Sequence, residues 1–292
     1  MSRSGLVTIA GRPNAGKSTL LNRLVGERLS ITSPKAQSTR NRIVGIHTQD
    51  ASDGQEAAQL VFLDTPGLFE PRDELHRSMR SVALKALTDA DVIVHLADAS
   101  EGTPPPLDIA ARLQSRPTAP IITALNKIDL VDAARLRDIE AQAPGALPVS
   151  AATGEGIDRL LRAILDRLPE SPFLYPADEL STSPVRFFAA ELVRETALEQ
   201  LDQEVPHSLA VDIDEFREDR SPVYIRAIIY VERDSQKAIL LGHKGTRIRA
   251  LGQAARTKIE GLVGQPVYLD LWVKVLPNWR RDPQALKRLG YA

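Results

Sequence analysis

The stretch GRPNAGKS, residues 11–18, constrains the fold of this chain more than any other. It fits the spacing G-x-x-x-x-G-K-[ST]. It follows the apolar run GLVTIAG (5–11) and opens the helical pattern KSTLLNRLVGE (17–27). A strand that turns into a helix around two glycines gathers backbone N–H groups at a helix N-terminus, which makes an anion site. Gly11 and Gly16 let the backbone wrap closely around phosphates. On this reading Gly11, Arg12, Pro13, Asn14, Ala15 and Gly16 form the cradle. Lys17 reaches the β- and γ-phosphates, the Ser18 hydroxyl binds Mg²⁺, and Thr19 completes the loop.

Apolar strands alternate with helical stretches after this point. RIVGIHT (42–48) and QLVFLDT (59–65) flank the turn-rich QDASDGQEA and predict a hairpin. DVIVHLADAS (91–100), PIITALNKID (120–129) and ALPVSA (146–151) follow, each with helical periodicity beside it, and GIDRLLRAILDRL (156–168) closes the series. Continuous apolar strands in a βαβ series predict an α/β domain with a mostly parallel six-stranded sheet, covered on both faces.

The strand ends carry the chemistry. DTPG (64–67) places Asp64 on the magnesium side. Gly67 can donate its N–H to a γ-phosphate, with Thr65 and Pro66 between them. In NKID (126–129), Asp129 can accept two hydrogen bonds from the guanine N1–H and exocyclic amine. Adenine would leave that carboxylate unpaired. Asn126 can tie this loop to the phosphate loop, and the Lys127 stem can lie on the purine. SAA, Ser150 to Ala152, offers backbone N–H groups to guanine O6. The bound nucleotide is therefore expected to be GTP or GDP with Mg²⁺. A P-loop kinase or ATPase satisfies the loop alone, but not NKID.

The first part ends at 168. Residues 169–184, PESPFLYPADELSTSP, hold four prolines and read as a linker. Residues 185–292 read as a smaller α+β domain in the order α-β-β-α-α-β. It starts with the helix VRFFAAELVRETALEQL (185–201) and ends with the strand PVYLDLWVKV (266–275), where Trp272 is expected to pack. GHKG (242–245) is read as lying between a strand and a basic helix. G-x-x-G is the turn with which KH domains clamp RNA backbone. Residues 237–258 carry six Lys and Arg and no acid. Lys237, Gly242, His243, Lys244, Gly245, Arg247, Arg249 and Lys258 are the candidate RNA contacts. Ile239, Leu240, Leu241, Ile248 and Leu251 either line a cleft for bases or fill the core. Trp279 either touches RNA or caps the domain.

Composition narrows the rest. The chain has no cysteine, which excludes disulfides, thiolate zinc sites and cysteine nucleophiles. No run approaches the ~20 apolar residues of a membrane span, and the expected address is the cytoplasm.

GRPNAGKS, QSTRN, DTPG, NKID and SAA, in that order, together with ITSPKAQSTRNRIVGI (31–46), LGHKGTRIRALG (241–252) and the ending LDLWVKVLPNWRRDPQALKRLGY (269–291), resemble the Era family of GTPases. The resemblance implies a GTP-hydrolysing domain followed by a type II KH domain. Its implied partners are small-subunit ribosomal RNA near its 3′ end and the 30S-type subunit during assembly. It also allows peripheral contact with the inner face of the cell membrane. It implies that Thr39 is the switch threonine that joins Ser18 on Mg²⁺. Leu68 follows DTPG and cannot hold a water. In GTPases that it resembles, an asparagine at this loop position can ligate a potassium ion, so the resemblance makes Asn14 a candidate K⁺ ligand standing where other GTPases use an arginine finger. Lys17, Thr39, Gly67 and Asn14 form the expected catalytic set. Two other readings stay open: an RNA-binding assembly factor with a structural nucleotide site, and a GTPase of transfer-RNA modification, which would need a different second domain.

Overall fold

The computed structural model describes residues 2–33, 35, 37–51, 56–201 and 205–291. The expected hairpin turn at 52–55 lies outside the described residues, as do Pro34 and Ala36 of the 31–46 segment. Two compact units emerge. The first comprises residues 1–71 and 79–182, the second residues 72–78 and 183–292.

The first unit runs β1 (Arg3–Ala10), α1 (Lys17–Val25), β2 (Ile43–Gln49), β3 (Ala58–Asp64), α2 (Glu74–Asp89), β4 (Val92–Asp98), α3 (Leu107–Ala110), β5 (Ile121–Asn126), α4 (Ala133–Gln142), β6 (Leu147–Pro148) and α5 (Ile157–Leu165), with α2 beginning among residues of the second unit. The sheet order is β2-β3-β1-β4-β5-β6, and every pairing is parallel except β2 with β3. β1 thus has β3 on one side and β4 on the other. The connections diverge there, and a crevice opens beyond the strand C-termini. Val7, Ile9, Leu60, Val61 and Phe62 are fully buried, as expected for strands covered on both faces. The expected strand 146–151 shrinks to two residues: Val149 still donates to Leu125 O of β5, and the chain turns at Ser150, whose N–H donates to Glu155 O.

The proline-rich segment is fastened to the first unit as far as Thr182. Buried Gln59 accepts from the N–H groups of Leu174 (2.8 Å) and Tyr175 (2.9 Å) and donates to Tyr175 O (2.9 Å). The Ile46 N–H donates to Leu180 O (2.8 Å), and Ser181 Oγ donates to Val44 O (2.5 Å). Proline excludes this segment from a regular sheet, yet it can occupy an edge where only some N–H groups are required.

The second unit runs α6 (Val185–Gln200), α7 (Val205–Ser208), β7 (Ala210–Arg217), β8 (Val223–Val231), α8 (Asp234–Leu241), α9 (Thr246–Val263), β9 (Val267–Val275) and α10 (Pro283–Arg288). Its sheet order is β7-β8-β9, with β7 antiparallel and β9 parallel to β8. α6, α8 and α9 cover one face, around Val193, Ala197, Ile225, Leu240, Leu251 and Ile259. Leu240 and Leu251 are therefore core residues, whereas Ile239 is exposed. Trp279 is buried too and donates from Nε1 to Ser208 O at 2.9 Å, so it seals the domain.

Two expectations need correction here. GHKG follows α8, not a strand. Gln236 Oε1 accepts from the N–H groups of Glu232 (2.9 Å) and Arg233 (3.1 Å), which caps and starts a helix ahead of the turn. Trp272 is 52% exposed, because alternation along β9 turns it to the face that the helices leave uncovered. No helix among the described residues is long and apolar enough to cross a membrane.

Candidate functional site

A crevice of about 480 Å³ opens at the C-terminal ends of β1 and β3, lined by the phosphate loop, by 31–33 and 37–39, and by Gly67 and Lys127. Its floor is built by close approaches that admit no side chain. Gly16 has φ +96°, and a Cβ there would stand 2.3 Å from Asn126 Nδ2. At Gly67 a Cβ would stand 2.6 Å from the Pro13 nitrogen, so DTPG and the phosphate loop touch backbone to backbone. Asn14 lies exposed at the crevice rim in the left-handed region, φ 63°, a conformation that asparagine tolerates.

Lys17 is buried and donates to Arg12 O (2.9 Å) and Gly11 O (3.3 Å). Burial lowers its pKa to about 8, against the opposing pull of Asp64. Asp64 is wholly buried. Its Oδ2 accepts from Ser18 Oγ (2.7 Å) and Ser30 Oγ (2.9 Å), and Thr39 Oγ1 lies 2.9 Å from Ser18 Oγ. Burial pushes the Asp64 carboxyl up, with Lys17, Ser18, Ser30 and Thr39 opposing. Its Oδ1 has no hydrogen-bond partner among the described residues. Two hydroxyls beside a buried carboxylate with one orphaned oxygen form a hard oxygen donor set. That set fits Mg²⁺, whose remaining places water and phosphate would fill.

The base side is held by one asparagine. Asn126 donates from Nδ2 to Ala15 O (2.7 Å) and accepts at Oδ1 from the Ala151 N–H (2.9 Å). It thereby ties the phosphate loop to the SAA turn. Lys127 has φ 65°, and its Nζ donates to Asp98 Oδ2 at 2.6 Å. Asp129 accepts at Oδ1 from Ser150 Oγ at 2.6 Å. The sequence had the backbone N–H groups of Ser150 to Ala152 open to guanine. Those of Ser150 and Ala151 are engaged, the first by Glu155 O within its own turn and the second by Asn126 Oδ1.

Four positions escaped the sequence reading. Ser30 reaches Asp64. Asn22 holds the Ser30 segment, accepting from the Leu29 (3.0 Å) and Ser30 (2.8 Å) N–H groups. Asp98 orients Lys127. Arg23 donates to Ala151 O (3.3 Å) and to Ala152 O, supporting the SAA turn. Only Asp98 carried a signal, as an acid at a strand end on the crevice edge.

Leu68 is buried with Ala10, Ala83, Leu87 and Ile93, and its N–H donates to Gly11 O at 3.0 Å. Its side chain points into the core rather than toward a water.

In the second unit, Gly242 (φ 69°), Lys244 (φ 49°) and Gly245 (φ 76°) shape the turn ahead of α9. A Cβ on Gly242 would meet Arg247 Cγ at 2.8 Å. His243 and Lys244 are exposed, and Arg249 Nε donates to Gly245 O (3.2 Å) at the start of α9. A groove of about 420 Å³ runs between Ile248, Arg249, Gly252, Gln253 and Arg256 of α9 and Tyr268, Leu269 and Leu271 of β9. Lys237 lies on α8. Lys258 does not join this group: Glu195 (3.1 Å) and Glu199 (2.7 Å) of α6 hold it, since it lies three turns along α9 from the GHKG turn.

Residues 6–127 match the family model described as a 50S ribosome-binding GTPase, and residues 204–280 match that of the KH domain. The chain is 43% identical to the GTPase Era of Lactobacillus delbrueckii subsp. bulgaricus over 296 residues, 99% of this chain and 96% of that protein. It is 45% identical to the GTPase Era of Leuconostoc citreum over 298 residues, with the same coverage. Among solved structures, an Aquifex aeolicus Era variant bound to GDP·AlF4⁻ superimposes with a TM-score of 0.91 at 40% identity, covering 99% of each chain. Era in complex with MgGDPNP and nucleotides 1506–1542 of 16S ribosomal RNA does so with a TM-score of 0.89 at 40% identity, covering 100% of each chain.

Proposed function

Because the chain belongs to the Era family of GTPases, we propose that its GTP hydrolysis gates the grip of its KH domain on small-subunit ribosomal RNA near the 3′ end. The protein then acts in assembly of the small ribosomal subunit. The observation that carries the nucleotide half is the cluster of Ser18, Thr39 and the buried Asp64, with its orphaned carboxylate oxygen.

The residues divide the work. Lys17 and the N–H groups of the loop hold the phosphates. Ser18, Thr39 and Asp64 hold Mg²⁺, which when bound neutralises charge on the β- and γ-phosphates. Gly67 reports the γ-phosphate through its backbone. Asp129, held by Ser150, selects guanine. Asn14, at the rim of the crevice, is the proposed potassium ligand. A cation there would stand in for an arginine finger, whose contribution is about 10³–10⁵ in rate. Turnover measured in K⁺ and in Na⁺ checks this, and equal rates would remove the potassium site.

The RNA half rests on the exposed GHKG turn beside the groove between α9 and β9, and on the neighbour solved with 16S ribosomal RNA. GTP must bind the RNA-gripping and released forms unequally if it is to shift them. RNA affinity with a GTP analogue is expected to exceed that with GDP, and identical affinities would remove the coupling. Co-purification of small subunits with the GTP form, more than with the GDP form, tests the assembly role. The same reading puts the protein in the cytoplasm, with peripheral contact at the inner membrane face, and cell fractionation checks both.

A further inference from the structure

The uncovered face of the β7-β8-β9 sheet carries an aromatic row. Alternation along β8 and β9 sends Tyr224, Arg226, Tyr268, Asp270 and Trp272 to the side opposite the helices. Tyr268 is 58% exposed and Trp272 52% exposed. Water contact of this size on two large rings is unfavourable unless something covers them.

The rings are nonetheless held in place. Tyr224 and Tyr268 stack with centroids 5.8 Å apart. Asp270 Oδ2 accepts from Trp272 Nε1 (3.0 Å), Tyr224 OH (3.0 Å) and Arg226 Nε (3.3 Å). One carboxylate therefore fixes three side chains, and its charge is met by Arg226. The guanidinium groups of Arg217, Arg220 and Arg226 lie 5.9, 5.3 and 5.6 Å from the Tyr224 ring centre. Arg217 and Arg226 also pair with carboxylates of β7 and β9. Arg220 has no ion-pair partner among the described residues. Exposed rings bordered by arginine, and ordered in advance, offer stacking surface at low entropic cost.

The face also continues the groove. Tyr268 lines the groove between α9 and β9 and at the same time stacks in the aromatic row. Trp272 stands four residues further along the same strand face, ~13 Å away at ~3.3 Å per residue. We propose that the strand of RNA gripped at the GHKG turn continues past Tyr268 onto this face. There, unpaired bases stack on Tyr268 and Trp272, and Arg220 meets the backbone. The inference deepens the RNA-binding reading and rests on it.

The test uses the full chain and two RNAs: the 1506–1542 segment of 16S ribosomal RNA, and a tetranucleotide cut from it, about the length that a G-x-x-G turn clamps. The chain has two tryptophans, and Trp279 is buried, so a change in tryptophan emission on RNA binding reports Trp272. The longer RNA should quench this emission. Trp272→Ala should weaken that RNA by about five- to hundredfold, leave the tetranucleotide unchanged and leave RNA-free GTP turnover unchanged. Trp272→Phe should restore most of the loss. Lys244→Glu should weaken both RNAs. If Lys244→Glu weakens both while Trp272→Ala weakens neither and no quench occurs, the stacking face is refuted and the groove reading stands. If the wild-type chain binds neither RNA, both readings fall. If Trp272→Ala spares RNA affinity but reduces binding to isolated small subunits, the face serves a ribosomal protein and the proposal is wrong.

Discussion

The nucleotide crevice and the GHKG turn solve the same problem, gripping phosphate, in opposite ways. In the crevice nearly every functional side chain is already partnered inside the protein: Lys17 with two carbonyls, Ser18 with Asp64, Asn126 with both loops, Asp129 with Ser150. At the turn the backbone is fixed by three residues with positive φ, while His243 and Lys244 stand in solvent. Buried polar groups make a wrong ligand costly, because it leaves them unpaired. Exposed charges attract any phosphate chain and weaken as salt rises. The crevice is thus built to discriminate and the turn to hold.

That contrast predicts an ordered set of effects. The largest belongs to Asp129→Ala. It should reduce the preference for GTP over ATP by at least ~10²-fold in competition binding, since sites built around a hydrogen-bonded substrate group discriminate by up to ~10⁴–10⁵. A smaller change would break the claim that the Asp129 carboxylate, oriented by Ser150, sets specificity. Lys17→Ala should lower single-turnover hydrolysis by roughly 10²–10³-fold, because it removes a charge that the phosphates meet in a water-poor site. Lys244→Glu should weaken RNA about tenfold, and Lys244→Ala should reduce the salt slope of binding by about 1. A salt-independent loss would mean that the turn reads bases instead of backbone.

Two further measurements probe the scaffold. Gln59→Ala removes the buried amide that holds Leu174 and Tyr175 and should destabilise the first unit by about 1–3 kcal/mol in urea unfolding. The smallest effect concerns His95, whose pKa burial lowers. Between its lowered folded pKa and ~6.5 the unfolded chain binds the extra proton. The stability that His95 contributes should therefore rise with pH across that window and be lost as pH falls below 6.5, with a slope of at most ~1.4 kcal/mol per pH unit. His95→Asn should reduce the measured slope and leave the part due to His47, whose pKa burial also lowers.

The sequence was informative where chemistry fixes both residue type and spacing. The phosphate loop, Asp64, Asn126 and Asp129 fall at strand ends, which the alternation of strands and helices brings to one edge. Thr39 came from family likeness and lands beside Ser18. Ser30 and Arg23 were not legible, because each acts on a residue 34 to 128 positions away and leaves no local pattern. Trp272 was misjudged for a different reason: period-two alternation tells which face a residue shares, not whether that face is covered. The run before GHKG was too short for periodicity to separate strand from helix, and the cap at Gln236 decided it.

The inward turn of Leu68 has a consequence for anyone redesigning this protein for speed. Glutamine at that position would set an amide among Ala10, Ala83, Leu87 and Ile93. The swap would loosen the interior before it could orient a nucleophile. Faster variants must instead come from groups that approach the triphosphate from outside, which leaves the tempo of this enzyme open to its surroundings.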